Sequence, residues 1–324
     1  MIVLRSMLFV PGNSMRMITK AATLAADAII LDLEDAVPLP DKVTARIMIR
    51  DSVKAVKSGG SYILVRVNAL TTKLTAEDLK FVGVEGLDGI MLAKTEAKSD
   101  IVELDSMLEE IEKGRGLELG SLTIIPLIET AKGIINAYEI SSASKRVVAV
   151  AFGSGDYYRD LGRSVSSFSP EQTELLYARS HLVNASRATG VQAIDTVFFG
   201  LLTDMKGFTE ETVLALQLGF KGKLLIHPAQ IEVVNKIFSP SPDEAEYAGR
   251  VVEAFEAAQA RGLGAISLEG KMIDYMNYKQ ARDLVSFVEV IAEKGKRRQA
   301  AAYVSLAKFF ASSSKEGGNA LCLS

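Results

Sequence analysis

The chain has 324 residues, 48% of them hydrophobic and 24% charged, enough for a large core without disulfide or metal staples and too apolar for wholesale disorder. Lys plus Arg number 37 and Asp plus Glu 40, a net charge of -3, which argues against a nucleic-acid protein held by phosphate neutralisation. The single cysteine, Cys322, and the two histidines, His181 and His227, leave no disulfide, no Cys-based zinc site and no His-rich centre, so any metal would rest on oxygen ligands.

No uninterrupted apolar run approaches the roughly 18 residues of a membrane span. The opening residues lack the basic, apolar, small-residue order of a signal peptide. A cytoplasmic protein with no membrane or nucleic-acid partner is expected.

Short apolar runs recur in chain order: Met7–Val10, Ala28–Leu33, Tyr62–Val67, Gly89–Lys94, Leu122–Glu129, Val147–Phe152, Ala193–Phe198 and Lys223–His227. They are continuous rather than alternating, as in strands buried on both faces of a parallel sheet. Helix-like stretches lie between them at Met15–Ala26, Asp41–Ser58, Asp100–Lys113, Glu171–Thr189 and Glu210–Leu218. Gly59-Gly60, Gly86, Gly120, Gly190 and Gly222 suit helix ends. Eight strand–helix units in about 230 residues fit an α/β fold of the (β/α)8 TIM-barrel type. An open doubly wound sheet shares the alternation and stays open on this pattern alone.

A Pro/Ser break follows at Phe238–Glu244, with Pro242, Asp243 and Glu244 suited to a helix start. A long helix over Asp243–Arg261, a hairpin or loop over Leu268–Tyr275 and a helix over Lys279–Lys294 form an extension that a barrel does not need. The expected organisation is a barrel over 1–238, a C-terminal helical extension over 239–311 and a disordered tail over 312–324.

Polar residues gather where the apolar runs end. Asp32, Glu34 and Asp35 close the second, Arg66 and Asn68 the third, Lys94 the fourth, Glu129 the fifth, and Asp156 follows the sixth. His227 closes the eighth. In a barrel these ends share one mouth, and gathering such charges costs stability unless they are paired or bind a cation. Glu129 and Asp156 are candidate Mg2+ ligands, since Mg2+ takes one or two carboxylates plus waters and substrate oxygens. For Asp156, in the Gly153-Ser154-Gly155-Asp156 turn, a helix N-cap is the alternative. Arg66 needs an anion, either Asp32, Glu34 or a substrate carboxylate. Asp32, Glu34, Asp35 and Lys94 are candidates for orienting these groups. Pro11, Gly12 and Asn13 with Arg16 and Lys20 offer amides and two cations, a plausible phosphate seat or simply a solvated helix face.

These motifs resemble the citrate lyase β-subunit-like family of Mg2+-dependent C–C lyases. The resemblance rests on Arg5–Asn13, Ile30–Val37, Val65–Asn68, Ile128–Gly133, Phe152–Asp156, Ala193–Asp195, Gly222–Ile231 and Gly270–Asp274, in the same order. It implies Glu129 and Asp156 as Mg2+ ligands, Arg66 gripping the acid end of the substrate, and the Pro11-Gly12-Asn13 turn with Arg16 and Lys20 at a coenzyme A edge. It also implies Asp274 as a catalytic carboxylate on a C-terminal lid, set over a neighbouring subunit in a homotrimer or hexamer. The implied reaction is retro-Claisen or aldol cleavage of a malyl-, citramalyl- or citryl-type thioester into a 2-oxo acid and an acyl-CoA. A citryl-thioester lyase subunit within a complex, a malate synthase or thioesterase, and a non-catalytic binding subunit are the alternatives. The sequence departs from the pattern at Thr71-Thr72, at the apolar Phe198–Leu202 and at Tyr275–Asn277.

Overall fold

A computed structural model describes residues 2–164, 169 and 172–316, with side chains to 298. The described residues form two compact units, one over Leu4–Phe238, the other over 239–316 with residues 2 and 3.

In the first unit eight parallel strands close a barrel in chain order: β1 (Ser6–Pro11), β2 (Ala28–Asp32), β3 (Tyr62–Val67), β4 (Gly89–Leu92), β5 (Thr123–Ile128), β6 (Ala149–Phe152), β7 (Gln192–Asp195) and β8 (Gly222–Leu225). Closure, with β1 paired to β8, excludes the open sheet. The strands are buried almost throughout, which accounts for their unbroken apolar sequences. Around them run α1 (Met15–Ala21), α2 (Lys42–Lys57), α3 (Thr75–Val82), α4 (Lys98–Arg115), α5 (Ala131–Ile135), α6 (Ala137–Ser141), α7 (Ser154–Asp160), α8 (Leu176–Thr189), α9 (Met205–Leu218) and α10 (Gln230–Ile237). In α2 the residues Ala45, Ile49, Val53 and Val56 are buried, the spacing of one helical stripe laid on the sheet.

Register places the site. Pro11 pairs with Asp32, and Asp32 with Arg66, so three neighbouring strands present these residues at one level. Ile128 pairs with Phe152, which puts Glu129 and Gly153 side by side just past the strand ends. Behind β7 and β8 a buried network fixes the wall. The Asp195 carboxylate accepts from Arg179 Nη2 at 2.9 Å and Lys223 Nζ at 2.8 Å, and Lys223 also donates to Glu211 Oε1 at 2.6 Å.

Gly190 ends α8 in the left-handed conformation, as expected (φ 79°). Gly222 does not end a helix; Gly219 ends α9 (φ 105°). Gly222 instead opens β8, where a Cβ would stand 1.9 Å from the Leu4 carbonyl oxygen. A strand seated that closely on its neighbour admits no side chain there.

The second unit contains α11 (Pro242–Gln259), β9 (Ile266–Leu268), β10 (Lys271–Ile273) and α12 (Tyr275–Glu316). Ser241 Oγ accepts from the Glu244 N–H at 3.2 Å and Glu244 Oε2 accepts from the Ser241 N–H at 2.7 Å, a capping box starting α11. Leu268 pairs with Lys271 across Glu269 and Gly270, both at positive φ, the geometry of a two-residue type I′ hairpin. Phe255 stacks on Tyr278 at 4.8 Å, within a core of Ala248, Val251, Ile273 and Ala281. Helix α12 runs well past Lys294 and takes in residues 312–316, the start of the expected disordered tail. Residues 295–311 hold five Ala, two Lys and two Arg, and a helix once begun extends at little cost through such residues. The rest of that tail, 317–324, lies outside the described residues. No helix among the described residues is long and apolar enough to cross a membrane.

Candidate active site

A cavity of about 570 Å³ opens among the strand ends of the barrel. Asp32, Asp35, Arg66, Glu129 and Asp156 line it, together with Pro11, Ser154, Arg159 and Thr196. The closed barrel thus brings Glu129 and Asp156 to one hollow. Glu129 is buried, and its Oε2 accepts from the Lys94 backbone N–H at 2.9 Å. Burial pushes its carboxyl up to about 7, the Arg66 charge opposing that shift and Glu34 adding to it. Asp156 lies at the third position of α7, with Arg159 paired to it and Lys94 Nζ at 3.6 Å. It makes no N-cap bond, the N-cap position being Gly153.

Arg66 is ion-paired inside the protein. Its Nε and Nη2 donate to the two Asp32 oxygens at 2.7 and 2.6 Å, and Nη1 lies 3.0 Å from Glu34 Oε2. The guanidinium also sits over the Phe9 ring at 4.7 Å. Burial would lower its pKa, but the Asp32 bonds and the Asp32 and Glu34 charges raise it overall. Five N–H donors are available on a guanidinium, so these three contacts leave capacity toward the cavity that Arg66 lines.

Lys94 takes a left-handed backbone (φ 51°). Its ammonium pairs with Glu34 and has Asp35 at 3.6 Å, which raises its pKa despite burial. Burial raises the Asp35 pKa, but the Lys94 and Arg66 charges and the hydrogen bonds of Glu34 and Lys94 together hold it below the usual carboxylate range. Glu34 and Lys94 therefore stand behind Arg66 and Asp156, whereas Asp32 and Asp35 reach the cavity itself. Asn68 turns away, binding Asp78 Oδ2 at 2.7 Å and Lys42 at 2.8 Å. His227 is exposed, its Nδ1 accepting from the Ala229 N–H at 3.2 Å, and it does not line the cavity.

Of the first turn, only Pro11 reaches the cavity. Asn13 donates to Asp41 Oδ2 at 3.0 Å. Arg16 and Lys20 are exposed and line a separate open hollow on α1 with Met15, Thr19 and Thr23. Asp274 begins α12 in the second unit, where its Oδ1 accepts from the Asn277 N–H at 2.9 Å and its own N–H donates to Asn277 Oδ1.

Several residues at the cavity carry no signal in sequence. Thr196 Oγ1 accepts from the Ser154 N–H at 3.1 Å and bonds Ser154 Oγ at 2.7 Å, pinning the turn that carries Asp156. The Ala131 N–H donates to Asp160 Oδ2 at 2.7 Å, tying the loop after Glu129 to α7. Arg159 also lines the cavity, as does Phe199 of the apolar Phe198–Leu202 segment that departs from the family pattern. That segment and the Gly-Ser-Gly turn before Asp156 are what the sequence shows of this crowding.

The donor set suits a hard divalent cation. Among the described residues no group of three or more His, Cys, Asp and Glu side chains is arranged for a metal. Two carboxylates sharing one cavity are nonetheless the usual protein share for Mg2+, which keeps waters and substrate oxygens. The raised pKa of Glu129 marks a buried carboxylate short of compensating charge, and Asp156 is met by side-chain cations where an ion could stand.

Comparison with known proteins agrees in family. The sequence model of the HpcH/HpaI aldolase/citrate lyase family matches residues 5–228. The citrate lyase subunit beta of Leuconostoc mesenteroides subsp. cremoris is 42% identical over 270 residues, covering 83% of this chain and 88% of that one. The (3S)-malyl-CoA thioesterase of Cereibacter sphaeroides (strain ATCC 17029 / ATH 2.4.9) is 34% identical over 288 residues, covering 89% and 95%. The crystal structure of CitE from Mycobacterium tuberculosis in complex with magnesium, acetoacetate and coenzyme A superposes with a TM-score of 0.67 at 31% identity, covering 88% of this chain and 97% of that one. On this match in sequence and barrel, the chain belongs to the HpcH/HpaI aldolase/citrate lyase family.

Proposed function

We propose that this protein is a Mg2+-dependent carbon–carbon lyase that cleaves a carboxylated 3-hydroxyacyl-CoA thioester into a 2-oxo acid and an acyl-CoA. The observation that carries the reading is that Glu129 and Asp156 line one cavity together with Arg66. The family is one of magnesium-dependent, lyase-type enzymes of CoA thioesters, and magnesium is its cofactor.

Held by Glu129 and Asp156, magnesium would act as a Lewis acid on the oxygens of the 2-oxo acid half. Lys94 fixes Glu129 through its N–H, and Arg66 offsets charge on the substrate oxygens as the bond breaks. The Asp274 carboxylate accepts the 3-hydroxyl proton as the carbonyl forms. The electron pair of the C–C bond passes to the carbon next to the thioester, and Asp274 delivers a proton there. Lys94 is committed as a charged partner of Glu34, which speaks for metal rather than Schiff-base chemistry. Pro11, Gly12, Asn13, Arg16 and Lys20 would carry the coenzyme, and a lid bearing Asp274 over a neighbour would require a homotrimer or hexamer.

The test is turnover of a panel of CoA thioesters with mass detection of 2-oxo acids. Glu129→Ala and Asp156→Ala should each remove Mg2+-dependent turnover while far-ultraviolet circular dichroism stays unchanged. Undiminished turnover in EDTA ends the reading. The similarity to a citrate lyase subunit favours a second reading, a citryl-thioester subunit working within a complex. Turnover of a CoA ester by the isolated chain decides against it, and free CoA in place of acyl-CoA indicates a thioesterase.

A further inference from the structure

We infer that Phe199 makes this cavity selective for substrates whose 2-oxo half carries a hydrogen or a short alkyl group rather than a second carboxylate. The inference rests on the lyase reading above and names its substrate class.

The cavity wall has two arcs. Asp32, Arg66, Glu129 and Asp156 come from the ends of β2, β3, β5 and β6. The remaining arc, β7, β8 and β1, is continuous in the closed barrel and contributes Val197, Phe199, Leu224, Ile226 and Phe9. No cation among the described residues belongs to this arc. Lys223 of β8 is fully buried between Asp195 and Glu211. Arg159, which borders the arc, is paired with Asp156.

Phe199 stands where the two arcs meet. A Cβ on Gly155 would lie 2.8 Å from its Cζ, so the ring occupies space that any other residue before Asp156 would fill. Its loop is anchored on both sides. Phe198 is buried edge-on against Phe208 at 5.6 Å, and Asp204 caps α9 by accepting from the Gly207 N–H at 2.9 Å. Phe199 is 44% exposed and lines the cavity beside Gly155 and Asp156, so it forms part of the wall that a ligand there would meet. A methyl or ethyl group against that ring buries apolar area. A carboxylate there loses water and gains no cation.

The experiment is calorimetric titration of the Mg2+-loaded protein with pyruvate, 2-oxobutyrate and freshly dissolved oxaloacetate. The wild type should bind the first two about tenfold or more tighter than oxaloacetate, within the range that one group in a shaped pocket provides. Phe199→Arg should invert that order, and Phe199→Ala should weaken 2-oxobutyrate more than pyruvate. Circular dichroism confirms that each variant is folded. Equal or tighter binding of oxaloacetate by the wild type, or an order unchanged in Phe199→Arg, overturns the inference alone. So does an oxaloacetate affinity that falls in Arg159→Met, which would make Arg159 the anchor of a second carboxylate. Binding of none of the three acids overturns the lyase reading along with it.

Discussion

Gly153 is where one methyl group would be felt at the candidate centre. A Cβ there would stand 2.5 Å from Glu129 Cγ and 2.7 Å from its Oε1. The backbone at Gly153 has φ -107°, which any residue adopts, so the requirement is one of space. Gly153→Ala should therefore displace the Glu129 carboxylate, with an overpacking cost of about 1–3 kcal/mol. Mg2+ affinity measured by calorimetry should fall about tenfold or more, while the barrel's circular dichroism persists. Unchanged affinity would mean that Glu129 can move aside without consequence, and its role as a ligand would be in doubt. The carboxylates and Arg66 were legible in sequence because charges ending apolar runs are conspicuous. The contacts of Gly153 with Glu129 and of Thr196 with Ser154 were not, because only barrel closure brings those partners together. Arg66 illustrates the limit. Its need for an anion was evident, but only the register of β2 against β3 shows Asp32 meeting it.

Elements were readable in proportion to their length and burial. All eight strands lie within or beside the continuous apolar runs, yet several stop earlier, as β7 does at Asp195 rather than Phe198. The surplus residues leave the barrel to build its mouth, and hydrophobicity alone does not distinguish a strand from a packed loop. Helices α5 and α6 of five residues each are too short to show a helical period. The start of α11, by contrast, is written in local chemistry. Ser241→Ala should destabilise the second unit by about 1 kcal/mol through loss of the capping box, read from urea unfolding of the whole chain followed at Tyr278. The Glu244 side of the box adds a pH dependence. Hydrogen bonds from Ser241, its backbone N–H first, lower the Glu244 pKa below its ordinary 4.5. A carboxyl depressed in the folded state stabilises fully above its unfolded pKa and loses that contribution as pH falls through the folded value. The deficit of Glu244→Ala should thus be largest near neutral pH and shrink below about pH 4. A deficit that grows on acidification contradicts this assignment.

At the scale of the whole molecule the question is why a closed barrel carries a second unit with its own core. Its apolar cluster of Phe255, Ile273 and Tyr278 holds a hairpin and the start of α12 in fixed relation, and Asp274 sits at that junction. The carboxylate there has a structural duty, accepting the Asn277 N–H to begin α12. It also has the proposed catalytic duty of moving a proton. Asp274→Asn separates the two. Asparagine caps helices about as well as aspartate, so α12 and the unfolding midpoint should hold. Its amide is neither an acid nor a base near neutral pH, so turnover of the preferred thioester should drop by about 100-fold or more, the usual scale for a positioned acid–base group. The affinity for 2-oxo acids, proposed to rest on Glu129, Asp156 and Arg66, should stay within about twofold, because Asp274 is not among the residues proposed to bind them. Full turnover in Asp274→Asn would leave this residue as a helix cap only. The proton would then have to come from a group on the cavity wall itself, with Asp35 the first to replace.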